Sequence, residues 1–114
     1  MSTDASTARV VLTTTDSAEE AERLARVLVD ARLVACVQIA GPVRSVFRWD
    51  GAVSVEPEWQ LWLKTDAPRV DDLTARLVAE HTYAVPEVLV LPVLSGHGPY
   101  LTWVTEETAP PEDG

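Results

Sequence analysis

Hydrophobic and polar positions divide the first part of the chain into a strand pattern followed by a helix pattern. The run 8–14 is rich in β-branched residues, which predicts a first strand. Ser17 and Glu20 then form a capping box, in which each side chain can bond the backbone amide of the other residue. Apolar residues follow at helical spacing: Ala21, Leu24, Ala25, Leu28 and Ala31. This pattern predicts a first helix that ends near Arg32.

The middle of the chain predicts two long strands. The first starts at Leu33, is interrupted at Gly41-Pro42 and resumes from Val43 to Trp49. Because proline cannot donate a hydrogen bond to a neighbouring strand, we expect a bulge or a sheet edge at the interruption. The second strand spans about Val53 to Lys64.

A hairpin joins these two strands at Asp50-Gly51, a dipeptide typical of a type I′ turn with positive φ at both central residues. The second arm has large apolar side chains on both faces, with Trp59, Leu61 and Leu63 on one side and Trp62 on the other. A chain of 114 residues has few helices to cover both faces. We therefore expect a second copy of the chain to provide part of the cover.

The last part of the chain predicts a helix, a strand and a short terminal helix. Thr65 or Asp66 can cap the second helix of the chain, and Pro68 lies in its first turn. The apolar stripe of this helix is Val70, Leu73, Leu77 and Val78. The continuous apolar run Val88–Leu94 predicts a strand buried on both faces. Tyr100–Glu107 predicts the terminal helix.

The resulting order, β-α-β-β-α-β, predicts an α+β ferredoxin-like sandwich with a long β2-β3 hairpin and a short C-terminal helix. We expect one domain over 8–107, with flexible tails at 1–7 and 108–114. Right-handed crossovers place both helices of this fold on one side of the sheet. Apolar residues on the opposite side therefore need a partner subunit.

Charge and cysteine content restrict the function. Nine Lys and Arg oppose eighteen Asp and Glu, and the net charge of −9 disfavours both nucleic acid and an anionic membrane surface. No apolar run approaches the roughly 20 residues of a spanning helix, and the first residues, 1–7, lack the features of a secretory signal. A single cysteine, Cys36, suits a reducing compartment. We therefore expect a cytoplasmic protein.

Five separated motifs occur in an informative order: Leu33-Val34-Ala35-Cys36-Val37, Ser45-Val46-Phe47-Arg48-Trp49-Asp50-Gly51, Glu58 to Lys64-Thr65, His81-Thr82-Tyr83-Ala84-Val85-Pro86-Glu87, and Tyr100-Leu101-Thr102-Trp103. Together they resemble the CutA family of divalent-cation tolerance proteins. The resemblance implies a ferredoxin-like subunit related to the PII signalling proteins, a homotrimer, a cytoplasmic location, and a role in tolerance to copper and other divalent metals. The chain departs from the usual family pattern at Gln38, Phe47 and Thr82.

The resemblance also implies two metal ligands, Cys36 and His81. A thiolate suits copper(I) or zinc and an imidazole suits copper(II), so copper or another divalent cation is the expected cofactor. Two alternatives stay open: Cys36 is a small buried hydrophobe, and His81 caps the end of the second helix as a cation. No phosphate-binding glycine loop is present, and we expect no organic cofactor.

The other candidate site residues are aromatic or acidic. The four tryptophans are candidate core or interface anchors: Trp49, Trp59, Trp62 and Trp103. Glu87 precedes an apolar strand and so needs a partner, for which the candidates are Lys64, Arg48 and Tyr83.

Three functions are compatible with these residues. The first is a trimeric, metal-binding tolerance protein, the second is a PII-like module that binds a small ligand or a partner without a physiological metal, and the third is a stable trimeric scaffold. An enzyme is disfavoured, because no third group orients a Cys36–His81 nucleophile pair and no catalytic motif is present.

Overall fold

The secondary-structure elements follow in the predicted order. A computed structural model describes residues 6–111, and the predictions for 1–5 and 112–114 fall outside this range. The strands are β1 (Ala8–Thr15), β2 (Cys36–Trp49), β3 (Ala52–Asp66) and β4 (Leu89–Pro92). The helices are α1 (Ala18–Asp30), α2 (Val70–Glu80) and α3 (Gly98–Glu107).

The four strands form one antiparallel sheet in the order β2-β3-β1-β4. β1 lies in the middle, where Val11 is opposite Leu63 on one side and Val90 on the other. This arrangement confirms the predicted ferredoxin-like fold. It also leaves β2 and β4 as the two edges of the sheet within one chain.

The hydrophobic core lies between α1, α2 and one face of the sheet. Its largest fully buried side chains include Val11, Leu24, Leu28, Leu61, Leu63, Leu73 and Leu77. Burying a side chain of this size stabilises a fold by roughly 1.5–3 kcal/mol. Because strand residues alternate between faces, this core contains only every second residue of β1 and β3.

The hairpin between β2 and β3 has the predicted turn. Asp50 and Gly51 have φ values of 53° and 78°, and Trp49 is opposite Ala52 directly before the turn. The predicted irregularity in β2 is a bulge, because Ala40 is opposite Gln60 whereas Val43 is opposite Glu58. A Cβ atom at Gly41 would lie 2.8 Å from the Trp59 ring carbon Cδ1, so the bulge requires glycine there.

The predicted starts of β2 and α2 were wrong. Leu33 and Val34 are buried in the α1–β2 connection, and β2 begins only at Cys36. A 3₁₀ turn, Ala67–Arg69, precedes α2. Neither predicted cap bonds the helix, because the Thr65 hydroxyl donates to the Leu33 carbonyl and the Asp66 carboxylate accepts from Thr7.

The prediction that the strand at Val88–Leu94 is buried on both faces was also wrong for the single chain. β4 has only four residues, and Leu89, Val90 and Leu91 are exposed. The reason is its position at the edge of the sheet, where β1 is its sole neighbouring strand. An apolar run indicates that a strand needs cover, but it does not indicate which chain provides the cover.

Contacts within the fold extend slightly beyond the predicted domain bounds. The Ser6 amide donates to the Leu94 carbonyl, and Thr7 bonds Asp66. At the other end Thr108 is buried and its hydroxyl donates to the Val104 carbonyl at 2.8 Å.

An arginine links the two core helices. The Arg23 guanidinium in α1 contacts the carboxylates of Glu20, at 2.6 Å, and Glu80, at 3.2 Å, and it also donates to the Glu80 carbonyl. The hydrogen bond from Arg23 lowers the pKa of the Glu20 carboxyl, while Arg76 and then Arg23 lower the pKa of the Glu80 carboxyl. These ion pairs connect the end of α2 to the first turns of α1.

We expect Thr13→Val to stabilise the protein by about 1 kcal/mol. The Thr13 hydroxyl is fully buried and has no hydrogen-bond partner among the described residues, so removing it ends a desolvation penalty. Thr65→Val is the matched control, because this hydroxyl donates to the Leu33 carbonyl at 2.7 Å and its loss should destabilise. Thermal midpoints at equal protein concentration measure both effects. Destabilisation by both variants contradicts the account of Thr13.

The stability difference between the wild type and Arg23→Ala should shrink as pH falls. Both glutamates have folded-state pKa values below their unfolded values, so the contribution of the ion pairs is complete above the unfolded pKa and lost as pH falls through the folded pKa. Urea denaturation at pH 7 and below pH 4 tests this. Arg26→Ala, which removes an exposed pair with Glu22, is the control for a surface arginine. A difference that is constant with pH contradicts the prediction.

Candidate functional site

One face of the sheet has no cover from α1 or α2. Residues on this face alternate with the core residues of each strand and are aligned by the strand pairing. We call it the open face, and it consists of Val10, Leu12, Thr14, Cys36, Gln38, Ala40, Gln60, Trp62, Lys64, Leu89 and Leu91. Trp62 is 37% exposed, Leu89 is 53% exposed and Leu91 is 40% exposed. α3 contacts β1 and β3 and covers the part of the open face near Cys36, so the predicted uncovered surface in the single chain is the part around Trp62, Leu89 and Leu91.

Cys36 lies on the open face as the first residue of β2. Its thiol is free and half-buried, and Lys64 is directly opposite on β3. The Lys64 ammonium donates to the amide oxygen of Gln38 at 2.6 Å. On the other side Tyr100 of α3 approaches the thiol, and burial followed by the neighbouring Cys36 raises the pKa of the Tyr100 hydroxyl. Cys36 is therefore neither a core residue nor a freely exposed one.

His81 is buried at the end of α2, and both of its ring nitrogens are occupied. Nε2 lies 2.8 Å from the Thr14 carbonyl oxygen, and Nδ1 accepts from the Tyr83 amide at 3.0 Å. A carbonyl can only accept and an amide N–H can only donate, so the ring is the neutral tautomer with its proton on Nε2. His81 is the C-cap residue of α2, as predicted, and its backbone amide donates to the Leu77 carbonyl at 2.9 Å, but these ring contacts hold the neutral imidazole and not a cation. Its ring connects the loop after α2 to β1.

The structure does not bring Cys36 and His81 together within one chain. Cys36 is opposite Lys64, whereas Thr14, which His81 contacts, is opposite Gln60. Four residues along a strand correspond to about 13 Å, and Cys36 and Thr14 are also on different strands. Between residues 6 and 111 no group of three or more His, Cys, Asp or Glu side chains could hold a metal ion. A single chain thus offers Cys36 alone at the open face.

Tyr83 and Glu87 do not form the predicted pair. The Tyr83 hydroxyl donates to the Glu58 carboxylate at 2.8 Å, and its ring lies 4.8 Å from the His81 ring. Burial, and next the Glu58 carboxylate, raise the pKa of Tyr83. Glu87 is exposed and has neither a hydrogen bond nor an ion pair to any described residue of its own chain. Within the described chain none of the predicted partners, Lys64, Arg48 or Tyr83, bonds Glu87, and Tyr83 is bonded to the base of the hairpin instead.

The four tryptophans have different environments. Trp59 packs against the core, beside Gly41. Trp62 is on the open face, Trp49 is 64% exposed next to the hairpin turn, and the ring of Trp103 in α3 lies 5.6 Å from that of Tyr100. Trp59 is therefore a core anchor, whereas the interface role of the other three stays a prediction.

Sequence reasoning missed the polar neighbours of Cys36 and Tyr83, namely Lys64, Gln38, Tyr100 and Glu58. A signal existed for Lys64, which follows Trp62 by two residues in an alternating strand and so shares its face. No local signal existed for the Tyr83–Glu58 bond, because it joins residues 25 positions apart. Over the described part of the chain, no helix is long and apolar enough to cross a membrane.

Comparisons with known proteins agree with this architecture. The family model described as CutA1 divalent ion tolerance protein matches residues 9–107. The divalent-cation tolerance protein CutA of Thermus thermophilus is 41% identical over 99 residues, covering 87% of this chain and 96% of that protein. The chloroplastic protein CutA 1 of Oryza sativa is 38% identical over 87% of this chain, which spans 56% of that longer protein.

Solved structures show the same fold. CutA from Xylella fastidiosa superposes with a TM-score of 0.89 and 36% identity, over 91% of this chain and 100% of the other. A structure from Archaeoglobus fulgidus, described as a periplasmic divalent cation tolerance protein CutA, superposes with a TM-score of 0.86 and 30% identity, over 90% of this chain and 99% of the other. The family model, the related sequences and the shared fold together show that the chain belongs to the CutA family.

Proposed function

We propose that the protein is a homotrimer that binds copper or another divalent cation through Cys36 and contributes to metal tolerance. The observation that supports this proposal is the open face, where the apolar side chains of Trp62, Leu89 and Leu91 remain exposed on the same face as the half-buried Cys36 thiol. Exposed apolar surface of this extent marks a protein–protein contact.

The sheet topology supports assembly between copies in a head-to-tail manner. β2 and β4 are free edges, and in the antiparallel order β2-β3-β1-β4 they run in opposite directions. β4 of one copy can therefore pair antiparallel with β2 of the next while their open faces stay on the same side. Such heterologous contacts close into a ring when the rotation permits. The trimeric number itself follows from the family resemblance.

The hairpin supplies further apolar surface for the same assembly. It extends beyond the main sheet, and Val46, Trp49, Val53 and Val55 are exposed on it. Together with the open face, these side chains should form an obligate interface of about 2,000 Å² or more in total.

The site geometry favours copper(I) over a closed zinc site. Cys36 is a soft ligand, and a single chain offers no cluster of four ligands in the described range. The Lys64 ammonium directly across from Cys36 also repels a divalent ion more strongly than a monovalent one. His81 can add a ligand only if it gives up its bond to Thr14 or to Tyr83. We propose binding, not catalysis, as the role of this site, and a cytoplasmic location.

A PII-like module that binds a small molecule is the second candidate. A groove of about 540 Å³ lies between α1 and the start of β2, lined by Ala25, Arg26, Val27, Val29, Asp30 and Val37. It has the volume of a small-ligand site. Its position at the free β2 edge also makes it accessible to a neighbouring copy. The third candidate function, a stable trimeric scaffold, applies if the protein binds neither a metal ion nor a small molecule.

Trp62→Ala should lower the thermal midpoint much more than Glu22→Ala. Truncating a ring that is buried in the assembly typically costs roughly 3–5 kcal/mol, whereas Glu22 contributes only to an exposed ion pair with Arg26 worth about 0–1 kcal/mol. The midpoints are compared at one protein concentration and again at a tenfold dilution. The Trp62→Ala midpoint should also become more sensitive to dilution. Equal shifts for the two variants contradict the role of Trp62 as an interface anchor.

Copper(I) should bind the wild type more tightly than zinc does, and binding should weaken as pH falls because protons compete for the thiolate. Calorimetric titrations of the wild type, Cys36→Ser and His81→Ala test the assignment. Cys36→Ser should abolish specific copper binding. His81→Ala should leave most of it, since both ring nitrogens already bond within the chain. Unchanged copper affinity in Cys36→Ser contradicts the proposed site.

A further inference from the structure

The open face contains one charged side chain, Lys64. The carboxylates at the two ends of the open face already accept hydrogen bonds, because Glu58 accepts from Tyr83 and Asp66 accepts from Thr7. The Lys64 ammonium has three donor hydrogens, but its partner within the described chain is a neutral amide oxygen, that of Gln38. When another copy covers the open face, this cation loses its water. A desolvated ammonium without a counter-charge is strongly unfavourable.

Glu87 is the complementary anion. It is exposed and makes no ion pair with residues 6–111 of its own chain. Val88 packs against the core and Leu89 lies on the open face, so the alternation of side chains places Glu87 on the open side. It immediately precedes the core-facing Val88 and lies beside the free edge of β4.

The topology puts these two charges on the same side of a sheet that continues from one copy to the next. If β4 of one copy lies beside β2 of the next, Glu87 of the first copy lies on the same side of the sheet as Gln38 and Lys64 of the second copy. The hairpin arginines are less suitable partners. After the bulge in β2, Arg44 is opposite Pro57 and Arg48 is opposite Val53, which places both on the other side of the ribbon.

We propose that Glu87 of one copy pairs with Lys64 of the next copy across the assembly interface. This inference rests on the proposed homotrimer and names the polar contact that fixes its register. Apolar surfaces alone allow neighbouring strands to slip, whereas a single buried ion pair penalises every register except one. The pair also neutralises the positive charge across from Cys36.

Charge reversal tests this contact. Lys64→Glu and Glu87→Lys each place two charges of the same sign against each other at the interface. Each should therefore raise the dissociation constant of the assembly at least tenfold, as measured by sedimentation equilibrium. The double variant restores opposite charges and should recover most of the loss. Glu19→Lys, on the exposed start of α1, makes the same change of net charge as Glu87→Lys and should leave assembly unchanged.

A second measurement uses the wild type alone. A zero-length carbodiimide joins a lysine amine to a carboxylate only when the two are in contact. After ¹⁴N-labelled and ¹⁵N-labelled chains have been unfolded together and refolded into mixed assemblies, mass spectrometry should identify a mixed-isotope cross-link between Lys64 and Glu87. This result establishes the pair between copies even if the charge-reversal variants fail to fold.

The possible failures are distinguishable. An assembled wild type with no such cross-link, and with a double variant no better than the single variants, overturns the ion pair and leaves the trimer intact. A monomeric wild type overturns the proposed trimer, and the ion pair with it.

Discussion

The structure depends on the need to bury both faces of β3. Leu61 and Leu63 lie under α1 and α2, and they form the centre of the core. The alternation of side chains then places Trp62 and Lys64 on the opposite face, where neither of these helices can reach. A core made by one face of the sheet therefore leaves a second face that α1 and α2 do not cover, and α3 covers only part of it. In a chain of 114 residues, a further copy is the simplest cover for it.

This constraint also connects the fold to the site. Cys36 is opposite Lys64 and so lies on the open face, the same face as the apolar residues that we assign to the interface. His81 has a different role, because its two hydrogen bonds join the loop after α2 to β1. Tyr83 continues this connection to Glu58 at the base of the hairpin. The motif that contains His81 and Tyr83 thus connects α2, β1 and the hairpin within the fold.

The sequence was sufficient to predict the order of elements, the hairpin turn and the uncovered face, because each follows from local periodicity or from Asp50-Gly51. It was not sufficient to predict side-chain partners that are distant along the chain. The Thr65 and Asp66 side chains bond Leu33 and Thr7 instead of capping α2, and no local pattern indicates these partners. The burial expected for β4 was wrong within one chain for a different reason, since hydrophobicity shows the need for cover but not its source. The resemblance implied Cys36 and His81 as ligands, within one chain or across an interface, and the strand register separates them within one chain.

The mass of the protein in solution shows whether further copies of the chain cover the open face. Sedimentation equilibrium of the wild type at low micromolar concentration should give three times the chain mass of 12.4 kDa, with no dissociation on further dilution. A stable, folded species of 12.4 kDa at this concentration would contradict the account, because the exposed side chains of Trp62, Leu89 and Leu91 would then need no partner.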